Sequence, residues 1–241
     1  MGNVYTNYTL KGPSRPAVAR ALTGRSAFVT PAQGCVVVFD EQSDEQDTTI
    51  IAKLAARLSR ELGCPLLAVL NHDDDILWYQ LYLKGELADE YDSSPGYFDA
   101  SAKPTAPAGG DAQKLGAAFG ARNVAEIESV LRKSSFDEGG YLFAIDRHTD
   151  LARVLAIPSF GVGAGFRYIP SRELPDGVEE SNLLKVTAAG PRAPAHDTAA
   201  SPDTLSDWLC WSVFGCVAGG AVLGLAFWRY RRLNKHRHPA K

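Results

Sequence analysis

Hydrophobic and polar positions change rhythm several times along the first hundred residues. "VYTNYTL" is rich in strand formers, and "PSRPAVARAL" then reads as a short helix capped by Ser14, with Ala17, Val18, Ala21 and Leu22 on one face. "SAFVT" and "CVVVF" predict two strands around a turn at Gln33-Gly34. Between Asp47 and Leu62 the period becomes helical, with Ile51, Leu54, Leu58 and Leu62 three and four apart, and Gly63 followed by Pro65 is a stop signal. "PLLAVLN" predicts a buried strand, and "ILWYQLYL" with "ELADEYD" a hairpin around Lys84-Gly85. The order β-α-β-β-α-β with extra strands predicts an α+β, ferredoxin-like split βαβ domain over residues 1–100, in which both helices cover one sheet face.

Residues 101–112, rich in Pro, Ala and Gly, read as a linker, and the pattern beyond them is mostly helical. Leu115, Ala118 and Phe119 form one short face, and Val124, Ile127, Val130 and Leu131 form another. Tyr141 leads into a helix that ends before Pro158, and residues 166–169 suggest a short strand in a loop-rich stretch. Residues 113–187 are therefore expected to form a small, mostly helical second domain. Residues 188–207 are Ala- and Pro-rich, lack periodicity, and read as a second linker.

Residues 208–228 are 21 consecutive positions without a charge, flanked by Trp208, Trp211, Trp228 and Tyr230. A helix of that length spans about 30 Å, the thickness of a bilayer's hydrocarbon core, and Trp and Tyr favour its interfaces. The run is expected to be a transmembrane helix. Ser212, Cys216, Gly220 and Gly224 recur every four residues on it. Small residues at that period let two helix backbones approach closely, so this face predicts a homodimer through the membrane helix.

Charge adds a polarity to this layout. The net charge is −3, yet residues 229–241 hold Arg229, Arg231, Arg232, Lys235, Arg237 and Lys241 and no acid, so the remainder carries −9. An acidic body argues against nucleic acid as a partner, and the basic tail suits anionic lipid headgroups. Two signals pull the orientation in opposite directions. The basic tail favours a cytoplasmic C-terminus. The N-terminal residues carry neither a basic stretch nor an apolar export segment, which favours a cytoplasmic body. Cys35 and Cys64 begin apolar runs and read as core thiols, which also suits a reducing compartment. The expectation is a single-pass membrane protein with its N-terminal body in the cytoplasm.

The most unusual polar cluster is His72, Asp73, Asp74 and Asp75, between two apolar strands. Carboxylates beside an imidazole can hold a divalent metal or exchange protons, but adjacent residues in a tight turn point apart, and Asn and Asp are ordinary turn residues. On the following strand Trp78, Gln80 and Tyr82 share one side, which Tyr91 and Tyr97 could extend into an aromatic binding patch. The glycines of "GVGAGF" have the wrong spacing for a dinucleotide or phosphate loop. No Gly-x-Ser-x-Gly, Cys-x-x-Cys or His-Glu-x-x-His is present, so neither a cofactor nor a structural metal is expected. The function expected is non-enzymatic binding of a protein or ligand through residues 72–97. A metal-dependent or hydrolytic enzyme built on residues 72–75 is the alternative.

Through "GRSAFVTPAQGCVVVFDEQSDEQD", "LAVLNHDDDILWYQLYLKGELADEYDSSPGYFD" and "LAIPSFGVGAGFRYI", the chain resembles a set of bacterial hypothetical proteins over residues 1–187. The resemblance implies a bacterial, soluble body to which the apolar segment is an addition, and it assigns no catalytic residue.

Overall fold

The computed structural model describes residues 2–99, 101, 106–134, 138–171, 174 and 178–188. All of them lie in one compact unit. The chain runs β1 (Tyr5–Lys11), α1 (Arg15–Ala21), β2 (Ala27–Val29), β3 (Cys35–Asp40), α2 (Thr48–Leu62), β4 (Leu66–His72), β5 (Ile76–Leu83), β6 (Glu86–Asp92), β7 (Ala108–Gly109), α3 (Ala112–Phe119), α4 (Val124–Arg132), α5 (Ala144–Val154) and β8 (Leu184–Val186). Among the described residues the fold is mixed α+β. Its single antiparallel sheet has eight strands in the order β7-β6-β5-β4-β1-β3-β2-β8.

The four strands at its centre, β4-β1-β3-β2, are joined by α1 and α2, and both helices pack on the same face. Tyr8, Leu10, Val36, Val38, Leu66, Ala68 and Leu70 meet Val18, Leu22, Ile51, Leu54 and Leu58 there. Helix α2 has both of its predicted ends. Asp47 accepts from the amides of Thr49 and Ile50, and Gly63 adopts φ 62° so that its own N–H and that of Cys64 close the last turn on Arg60 and Ser59. Cys35 and Cys64 are free, buried thiols.

The opposite sheet face has two covers. Over β4–β6, the side chains of Leu67, Val69, Leu77, Tyr79, Leu81 and Tyr91 form one core with α3, α4 and α5. Over β2 and β3, Phe28, Val37 and Phe39 pack against Phe160, Ala164, Ile169 and Val178 of the segment after α5. Strand β4 is therefore apolar at five successive positions, all buried, because both of its faces are covered.

Arg147 of α5 is 1% exposed and forms no ion pair among the described residues. It donates to the carbonyls of Val130 (2.7 Å) and Lys133 (2.6 Å) at the C-terminal end of α4. Its guanidinium also lies 4.5 Å from the Tyr141 ring centroid. The negative end of the α4 dipole thus takes the place of a counter-ion.

Three segments differ from the sequence expectation. Residues 166–168 form a short 3-10 turn rather than a strand, because Arg167 is drawn to Asp44, bonding its carboxylate through N (3.0 Å) and Nε (2.8 Å). Strand β7 falls inside the Pro-rich stretch expected to be a linker, and β8 adds an edge beside β2. Among the described residues no helix is long and apolar enough to cross a membrane. Residues 208–228, with Ser212, Cys216, Gly220 and Gly224, and the basic tail lie outside the described residues.

Candidate binding surface

Strands β4 and β5 pair as far as His72 and Ile76 across a three-residue connection, Asp73–Asp75, within which Asp75 N–H donates to the His72 carbonyl at 3.0 Å. Asp73 and Asp74 adopt φ 53° and 61°. Such a turn normally takes Asn-Gly, and a non-glycine residue held there is strained. The side chains of the turn supply what holds it.

Asp74 is the hub. Its carboxylate accepts from Asn3 Nδ2 (2.8 Å) and Asn71 Nδ2 (3.1 Å), and its N–H donates to Asn71 Oδ1 (3.1 Å) and the Asn3 carbonyl (3.1 Å). Its carbonyl accepts from Ala144 N–H at 2.7 Å, which ties the start of α5 to the turn. Asp73 accepts from Gly2 N–H at 2.8 Å. The approach there is so close that a Cβ on Gly2 would overlap the Asp73 carbonyl. Asp75 accepts from the Tyr97 hydroxyl at 2.6 Å. His72 Nδ1 lies 2.6 Å from Gln46 Oε1. Because Gln46 Nε2 donates to the Asn71 carbonyl (2.7 Å), its Oε1 must accept, so His72 carries its proton on Nδ1.

The four residues that looked like a ligand set therefore reach four different partners. Among the described residues no side-chain hydrogen bond joins two of them, and no group of three or more His, Cys, Asp or Glu could hold a metal. An open cleft of about 610 Å³ lies elsewhere, between Gly110–Gln113 and Val124–Glu128.

Nor do the aromatic residues form one patch. Tyr82 is 5% exposed and packs with Trp78 against α2. Tyr91 is fully buried on the other face, stacked on Tyr79 at 5.1 Å and donating to the Leu131 carbonyl at 3.0 Å. Tyr79 and Tyr91 are direct cross-strand partners, so they share a face that Trp78 and Tyr82 do not. Of the four, Tyr97 is exposed and Trp78 partly so, its indole N–H donating to Glu90.

What does reach the surface is an aromatic group that sequence reasoning only half found. The rings of His72, Tyr97 and Phe98 lie mutually edge-on, with centroids 6.2 Å apart for His72–Tyr97, 5.1 Å for His72–Phe98 and 5.2 Å for Tyr97–Phe98. Phe98 is 62% exposed. Leu142 and Phe143, just before the residue tied to Asp74, are also exposed. Phe98, Leu142 and Phe143 were missed as candidates. Their one sequence signal is position: "PGYFD" and "GGYLF" place large apolar residues beside turn formers, where no periodic element buries them.

Behind the turn the polar residues are buried. The Tyr5 hydroxyl is hydrogen-bonded to His148 Nδ1 at 2.7 Å. Both partners are fully enclosed, and burial pushes the Tyr5 hydroxyl up and the His148 imidazole down to about 4. Asn7 Nδ2 donates to the carbonyls of Gly161 (2.5 Å) and Ala164 (3.0 Å) and pins the residue 161–166 loop onto β1.

No protein-family model, curated protein or solved structure matches the chain.

Proposed function

We propose that this chain is a membrane-anchored binding module. Its body is a ferredoxin-like split βαβ unit, a reading supported by the β4-β1-β3-β2 order and by α1 and α2 lying on one face. Additional strands and the α3–α5 layer extend it. Residues 208–228 form its single transmembrane helix at a bacterial inner membrane, with the body on the cytoplasmic side. Ser212, Cys216, Gly220 and Gly224 pair two such helices, and the basic tail contacts anionic headgroups.

The observation that carries the binding reading is the surface at the β4–β5 turn. Phe98 and Tyr97 stand exposed there, while the polar groups that hold them are committed to internal bonds. Large apolar side chains fixed at a surface by a strained, heavily bonded turn mark a contact site more than a scaffold need. The same bonds weigh against the hydrolytic alternative, since each of His72, Asp73, Asp74 and Asp75 is spent on a separate structural partner.

Two measurements test the proposal. In alkaline carbonate extraction the full chain should stay in the membrane pellet and a chain ending at residue 207 should be released. Release of the full chain contradicts the anchor. In affinity capture from membranes, a partner retained by the wild type should be lost with Phe98→Ser; equal capture by both contradicts this surface.

A further inference from the structure

We infer that the partner at the β4–β5 turn is a protein segment presenting arginine or lysine, received by the His72–Tyr97–Phe98 rings and the carboxylates around them. The inference rests on the binding surface proposed above and names the chemistry of its occupant.

Charge makes the selection. Residues 71–83 and 91–99 contain Asp73, Asp74, Asp75, Asp92 and Asp99 and neither lysine nor arginine, and Glu45 and Asp47 flank Gln46, the partner of His72, while Asp44 is already paired with Arg167. Glu45, Asp47, Asp73 and Asp75 are exposed there. An exposed aromatic group in such a field repels anionic lipid and nucleic acid. It attracts a cation, because a ring face is itself electronegative and the neighbouring carboxylates accept the cation's N–H groups. Phe98 offers most of its ring to solvent, and its edge-on contacts with His72 and Tyr97 set its orientation before any partner arrives. Asp75 is oriented by the Tyr97 hydroxyl through one oxygen. Arginine suits the site better than lysine, since a planar guanidinium can stack on the ring and bond a carboxylate at once.

The test uses the full chain in phosphatidylcholine nanodiscs and three labelled twelve-residue peptides of Arg-Ala-Gly, Lys-Ala-Gly and Glu-Ala-Gly repeats, read by fluorescence anisotropy at low salt. The arginine peptide should bind most tightly, the lysine peptide less, and the glutamate peptide not at all. Phe98→Ser should weaken the arginine peptide about fivefold, and Phe98→Trp should hold or tighten it. Asp75→Asn, which keeps an acceptor for Tyr97, should weaken it about threefold. Glu86→Gln removes the same charge beyond the opposite end of β5 and should leave affinity within about 1.5-fold, given salt screening over that distance. Equal losses with Asp75→Asn and Glu86→Gln, or unchanged binding with Phe98→Ser, would overturn the inference. If membrane capture is lost with Phe98→Ser while the arginine peptide fails to bind, the surface stands and its cationic occupant does not.

Discussion

Acidification should weaken this fold through one histidine. His148 is enclosed between α5 and β1, where its Nδ1 is hydrogen-bonded to the buried Tyr5 hydroxyl at 2.7 Å. Protonating the ring would place an unpaired charge in the core. Burial accordingly pushes the imidazole from its ordinary value of 6.5 to about 4. The folded value lies below the unfolded one, so the unfolded chain binds the extra proton first. Stability is intact above pH 6.5 and is lost as pH falls toward 4. Linkage puts the loss at about 1.3 kcal/mol by pH 5.5 and about 2.5 kcal/mol by pH 4.5, approaching about 3 kcal/mol below the folded value. Against a typical domain stability of about 5–15 kcal/mol this is a large fraction. The assay is urea unfolding followed by circular dichroism at pH 7.5, 6.5, 5.5 and 4.5 for the wild type and His148→Asn. Asparagine places a polar amide near the Nδ1 position, able to donate or accept, and does not titrate. The wild type should lose stability more steeply than the variant, by the amounts above. Parallel pH profiles for the two proteins would refute the reasoning, because every other titrating group is common to both.

Other predictions concern the turn, the buried arginine and a crowded glycine. Asp74→Ala strands the Asn3 and Asn71 amides and should cost about 2–4 kcal/mol in urea unfolding, whereas Asp73→Gly relieves φ 53° and should change stability by less than about 1 kcal/mol. Arg147→Met leaves the Val130 and Lys133 carbonyls without their donor and should cost about 2–4 kcal/mol; Arg147→Lys should recover only part, since one ammonium does not reproduce the fork. Gly165→Ala drives a Cβ into the Asp44 carboxylate and should lower thermal stability by about 1–3 kcal/mol, while Gly161→Ala, whose new methyl would meet Val37 at an ordinary 3.6 Å, should be milder.

How far the fold could be read in advance depended on local signals. Strands β1 to β6, α1 and α2 carried theirs in apolar spacing, and α2 also in Asp47 and Gly63 at its ends. Helices α3 and α4 likewise showed their buried faces, Leu115 and Phe119 in one and Ile127, Val130 and Leu131 in the other. Strands β7 and β8 span two and three residues, too few for any period, and depend on a neighbour to exist. The candidate site was legible in place and not in detail. His72 to Asp75 stood out by composition, but their directions follow from two left-handed residues and from partners at Gly2, Asn3, Gln46 and Tyr97 that are remote in the chain. Tyr91 was grouped with the wrong neighbours because its face is set by pairing with Tyr79, across a strand pair that also contains a bulge at Leu81/Tyr82. Exposure of Phe98, Leu142 and Phe143 had no periodic signature at all.

The central claim is that the β4–β5 turn is where this protein meets another. Its most direct test places a photo-crosslinking amino acid at position 98 of the full chain in intact membranes, with position 87 on β6, where Leu87 is also exposed, as control. A discrete adduct from position 98, absent from position 87 and diminished by Asp75→Asn, is the result predicted here. No adduct, or the same adducts from both positions, would contradict the account.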